Sequence, residues 1–112
     1  MKYMMFVVAD PAAAAEADPD ADDLTIEEWL AEAEGRRVLG QRLRPVSDAT
    51  TVRVSRGEVL VTDGPFTESK EWIAGFDILE CADLDEAIAL AAKHPQANGG
   101  KLELRPFWPD GE

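Results

Sequence analysis

The chain has 112 residues, 46% of them apolar and 30% charged, with 23 acids against 11 lysines and arginines and a formal charge of −12. That is enough chain for one domain with one core. It is too apolar for wholesale disorder and too acidic to hold nucleic acid through an overall electrostatic footprint. No run approaches the ~20 apolar residues of a membrane span. The opening MKYMMFVVAD is too short to act as a signal peptide. The single Cys81 permits no internal disulfide, so a cytoplasmic protein with a buried, inert thiol is expected.

Charge is spread unevenly. Residues 10–34 hold ten acids and no base, whereas 36–56 hold six arginines and one acid, Asp48. A solvated acidic face beside a basic edge explains this. The sharper reading is that Arg42, Arg44 and Arg53 attract an anionic ligand or an acidic partner.

In chain order, Lys2 to Val8 reads as a central strand, because Tyr3, Met5 and Val7 alternate with Met4, Phe6 and Val8 and both faces are apolar. Residues 10–22, rich in alanine, proline and acids, are expected to form a mobile acidic loop with at most one helical turn. The run DPDADD lacks the glycine and distal glutamate of a calcium loop. Thr25 and Glu28 form a capping box for a first helix, with Leu24 and Trp29 as its hydrophobic staple. Ile26, Trp29, Leu30 and Ala33 make its apolar stripe, and the helix should fail near Gly35. Val38 to Arg44 reads as a second strand, closed by Pro45. Residues 51–62 read as an inserted hairpin turning at Arg56-Gly57, with Val52 and Val54 facing Val59 and Val61.

The hairpin runs into Asp63-Gly64-Pro65-Phe66, a rigid turn: Gly64 precedes a proline, and Pro65 fixes its own φ. One helical turn is expected over Thr67 to Trp72. A further strand follows over Gly75 to Ala82. A second helix begins at Asp83, boxed by Glu86, with Leu84, Ala87, Ile88, Ala91 and Ala92 as its buried stripe, and it ends at Lys93-His94-Pro95. Asn98-Gly99-Gly100 turns the chain into a last strand, Lys101 to Phe107. The plan is strand, helix, strand, hairpin, strand, helix, strand. The reading is therefore α+β: one domain over 1–112 with a ferredoxin-like βαββαβ sandwich and an inserted hairpin. Both helices would cover one sheet face. A second copy of the chain is the economical cover for the other, giving a homodimer.

The blocks MKYMMFVV, TTVRVSRGEVLVTDGPF, TDGPFTESKEWIAGF, DLDEAIALAAKHP and ELRP, in this order, resemble the DGPF branch of the YCII-related proteins. The resemblance implies a ferredoxin-like chain that dimerises into an α+β barrel. It also implies a biochemical role largely unassigned, with frequent association with extracytoplasmic-function sigma factors. Enzyme-like members of that family carry a histidine early in helix one, paired with an aspartate. Leu24 to Leu30 contains none, which weighs against carrying over such chemistry.

The candidate site is the DGPF loop. Asp63 is the one catalytic candidate, as a general base. As ligand contacts, Asp63, Phe66, Lys70 and Arg44 would rim a pocket; Lys70, with Glu68 and Glu71, completes the family's DGPF-x-E-x-K-E pattern. The plainer roles stand beside these. Asp63 can bond the loop's own amides, and Lys70 can make a surface ion pair worth ~0–1 kcal/mol. His94, the only histidine, lies at a helix C-terminus, where protonation is favoured and a capping or solvated histidine is expected rather than a catalyst. No nucleophile-with-base spacing, phosphate loop or Cys/His cluster occurs, so no metal or cofactor is expected. A small cytoplasmic dimer that binds a small molecule without turnover is the leading expectation. The alternatives are an α+β-barrel enzyme using Asp63 on a small aromatic or lactone-like substrate, and an interaction module for a sigma factor.

Overall fold

The computed structural model describes residues 1–64 and 71–109. Six strands and three α-helices occur among them, besides two short 3-10 turns (Val46–Asp48 and Pro95–Ala97), in this order: β1 (Lys2–Ala9), α1 (Pro11–Ala14), α2 (Ile26–Glu32), β2 (Arg37–Arg42), β3 (Thr50–Ser55), β4 (Glu58–Asp63), β5 (Trp72–Glu80), α3 (Leu84–Ala92) and β6 (Gly100–Pro106). Four strands form an antiparallel sheet in the order β2-β5-β1-β6, and β3 with β4 form a separate two-stranded ribbon. With the ribbon set aside, this is the strand order of a ferredoxin-like α+β fold. The expected segment from Thr67 to Trp72 lies mostly outside the described residues.

β1 is central, flanked by β5 and β6. On its helix side Tyr3 and Met5, with Leu79 of β5, meet Trp29 and Ala33 of α2 and Ala87, Leu90 and Ala91 of α3. The two helices are tied together by the Trp29 indole, whose Nε1–H donates to the Leu90 carbonyl at 2.9 Å inside the core. The capping box of α2 forms as read: the Glu28 amide donates to Thr25 Oγ1 at 3.1 Å and the Thr25 amide to Glu28 Oε1 at 3.0 Å. Gly35 takes φ +85° just past the helix, where a side chain would be strained.

Several expectations need correction. The buried stripe of α3 is Ala87, Leu90 and Ala91, and Leu84 and Ile88 are exposed. Of the helix's leucines and isoleucine, Leu90 alone turns inward, flanked by Ala87 and Ala91. Asp83 does cap α3, accepting from the Glu86 amide at 2.9 Å. Glu86 does not complete the box; its carboxylate pairs with Arg36 at 2.8 Å and accepts from the Ala82 amide. β5 begins at Trp72 and ends at Glu80, leaving Cys81 just beyond it. Cys81 is buried, and that burial raises its thiol pKa. The acidic segment carries one helical turn and is tied down at Asp18, whose amide donates to Asn98 Oδ1 at 2.9 Å. Asn98 Nδ2 in turn donates to the Asp18 carbonyl at 2.9 Å and to Asp23 at 2.8 Å.

The β3–β4 ribbon turns at Arg56 (φ +50°) and Gly57 (φ +78°), the paired positive φ of a tight hairpin. Val52 faces Val61 and Val54 faces Val59. All four valines are 61–67% exposed, so they form an apolar ribbon face left open among the described residues. The ribbon stands out as an arm. The chain's radius of gyration is 16.3 Å, against about 13 Å for a compact chain of this length.

Candidate ligand-binding cleft

A cleft of about 470 Å³ opens on the helix side of the sheet. β2 and β5 form its floor through Gly40, Gln41, Ala74 and Gly75, and Ile26, Trp29 and Leu30 of α2 form one wall. His94 and Gln96, in the turn after α3, close the far side, and Arg37, Arg42 and Asp77 supply its charge. Ile26 and Leu30 are partly exposed because they face this opening, although they belong to the apolar stripe of α2.

The floor depends on an ion pair. Arg37 Nε donates to Asp77 Oδ1 at 2.6 Å, and Asp77 is 6% exposed. A carboxylate this buried needs a partner to remain charged. The pair crosses above Gly40, where a Cβ would run into Asp77 Oδ1, Arg37 Nη2 and the Phe76 carbonyl. Only glycine leaves that space. Further along the same strand, Arg42 is exposed and has no carboxylate partner among the described residues.

His94 is 8% exposed and sets its ring edge-on against Trp29, with centroids 4.7 Å apart. Its Nδ1 accepts the Gln96 amide at 3.0 Å, so the neutral ring carries its proton on Nε2. Burial pushes the imidazole pKa below its usual value, and the nearby Asp77 charge opposes this only in part. The protonated, solvated histidine expected from the helix terminus is therefore corrected. The capping role survives, directed at the following turn rather than at α3. The signal lay in the spacing Ala87, Leu90, Ala91, His94, one helical stripe that continues past the helix end. Asp77 was legible as an acid inside the apolar run GFDILE, a position that demands a basic partner.

Of the site candidates, Asp63 and Arg44 are described and lie elsewhere. Asp63 ends β4 at the base of the arm and is exposed. Arg44 is exposed and pairs with Asp48 at 2.9 Å. Neither lines this cleft or the second one, about 580 Å³, which Val38, Leu39, Ile78, Phe107 and Trp108 line in part. Phe66 and Lys70 lie outside the described residues. Among the described residues no group of three or more acids, histidines or cysteines could hold a metal ion. No described helix is long and apolar enough to cross a membrane.

The model of the YCII-related domain family matches residues 1–109, and the chain belongs to that family. An uncharacterised protein of Rhizobium meliloti (strain 1021) is 48% identical over 68 residues, covering 59% of this chain and 55% of that protein. The match thus spans about half the length of the relative.

Proposed function

We propose that the chain, a member of the family's DGPF branch by its motif, is a homodimer that binds a small organic acid in the α2–β2–β5 cleft. The observation that carries this reading is Arg42, a guanidinium without a carboxylate partner among the described residues at the edge of a cleft with an apolar wall. A planar carboxylate would place its apolar part against Ile26 and Leu30 and its charge on Arg42, with Gln41 and Gln96 available as neutral hydrogen-bond partners. β5, the floor strand, is the element that the DGPF loop leads into, so contacts from Phe66 and Lys70 belong to the proposal. The dimer rests on the sheet face away from the helices, where Met4, Phe6, Phe76 and Ile78 are only half-buried and Leu39 is exposed. A second copy covering that face would make the barrel.

One observation favours a second reading, an acid–base enzyme: His94 is held neutral in the cleft that Asp77 also lines. Ligand-observed NMR with benzoate, the simplest planar carboxylate probe, tests the first reading. Wild-type protein should bind it, and Arg42→Gln should weaken binding by at least ~10-fold, the scale of one charge-assisted contact. Equal binding by the variant would overturn the proposal.

A further inference from the structure

We propose that the β3–β4 arm is a dimerisation device: two arms pack valine face to valine face in antiparallel fashion, bringing Arg56 of each copy to Asp63 of the other. The face is built for self-pairing. Val52 opposite Val61 and Val54 opposite Val59 form a two-by-two square that maps onto itself under a half-turn. An interface between identical copies about a twofold axis needs that self-complementarity. A lone two-stranded ribbon is marginal in water, whereas two ribbons stacked ~10 Å apart make a small sandwich with a dry interior.

The arm supplies part of the area of a stable interface and carries no net charge to oppose it. At ~100 Å² of exposed surface per valine, two faces would bury about 800 Å². That is half of the ~1,600 Å² typical of a stable interface. Leu43 and Val46, exposed at the base of the arm, and the open sheet face can supply more. Residues 43–64 contain three arginines and three acids, so the arm is neutral and the whole −12 lies on the rest of each copy.

Polarity selects the antiparallel arrangement. By strand alternation Asp63 falls on the valine face, in line with Val59 and Val61 and opposite Thr50 at the base. Arg56 occupies the turn at the other end. Parallel stacking would set Asp63 against Asp63 and Arg56 against Arg56. Antiparallel stacking sets each against its opposite, so the partner contributes a guanidinium beside Asp63.

This inference extends the two-copy reading above, and sedimentation equilibrium on the whole chain separates the two. Wild type should dimerise, and the V52T/V54T/V59T/V61T variant, which keeps side-chain shape and strand propensity, should dissociate at least ~100-fold more readily. Single Arg56→Asp and Asp63→Arg changes should each weaken the dimer, and the double exchange should restore it. A threonine variant that stays dimeric overturns the arm while leaving the sheet-face dimer standing. A monomeric wild type overturns both. If the threonine variant fails to fold, the charge exchange decides, because a double exchange that does not recover overturns the antiparallel pairing.

Discussion

His94 shows what a single buried side chain does to the pH response of the fold. Its pKa is lowered in the native state by burial, so the unfolded chain binds the proton more readily. The sign follows from linkage. The stability tied to the neutral ring is fully present above the unfolded value of 6.5 and is lost as pH falls through it toward the folded value. His94→Asn retains an acceptor for the Gln96 amide and removes the titration. Urea unfolding between pH 7.5 and 5 should therefore fall more steeply for wild type than for the variant, and parallel slopes would contradict the burial. Gly40 is the second residue on which the cleft depends. Gly40→Ala should cost ~1–3 kcal/mol, the range for overpacking, because the methyl group must displace the Arg37–Asp77 pair or the Phe76 carbonyl. A urea midpoint equal to wild type would show that the pair is free to move. A glycine's need for space depends on what crosses above it, and nothing in the run VLGQR indicates an ion pair there.

Elements with local signals were legible at once. Thr25 and Glu28 announced α2, and Asp83 announced α3, because capping is decided within four residues. The four valines and Arg56-Gly57 marked the hairpin in register. The phase of α3 differs from the reading because Leu84 and Ile88 outweigh alanines in hydrophobicity, whereas the face that carries Leu90 with Ala87 and Ala91 went inward. The acidic segment also had a tie that local pattern could not show. Asn98 lies 80 residues beyond Asp18 and accepts from its amide. Asn98→Ala should speed amide exchange through residues 17–24 and cost ~1–2 kcal/mol for the bonds lost. Exchange rates equal to wild type would show that these bonds do not restrain the segment.

At the scale of the molecule, strand alternation and element order were enough to read a ferredoxin-like α+β chain, because the sheet must bury the face that the two helices cover. The cleft was not legible, since it draws on residues from Ile26 to Gln96 that no single motif links. The DGPF motif drew attention to Asp63, whereas the described cleft is charged by Arg37, Arg42 and Asp77. Two-copy association predicts a melting temperature that rises with protein concentration, by mass action; a value independent of concentration across a hundredfold range would count against it. The cleft itself is tested most directly by following the single imidazole by NMR through a pH titration, with and without saturating benzoate. In free protein His94 should titrate below 6.5, and bound benzoate should raise that value in wild type but not in Arg42→Gln, because a nearby carboxylate favours the protonated ring. An imidazole that titrates at or above 6.5 and ignores benzoate would show that His94 is solvated and that no anion enters beside it.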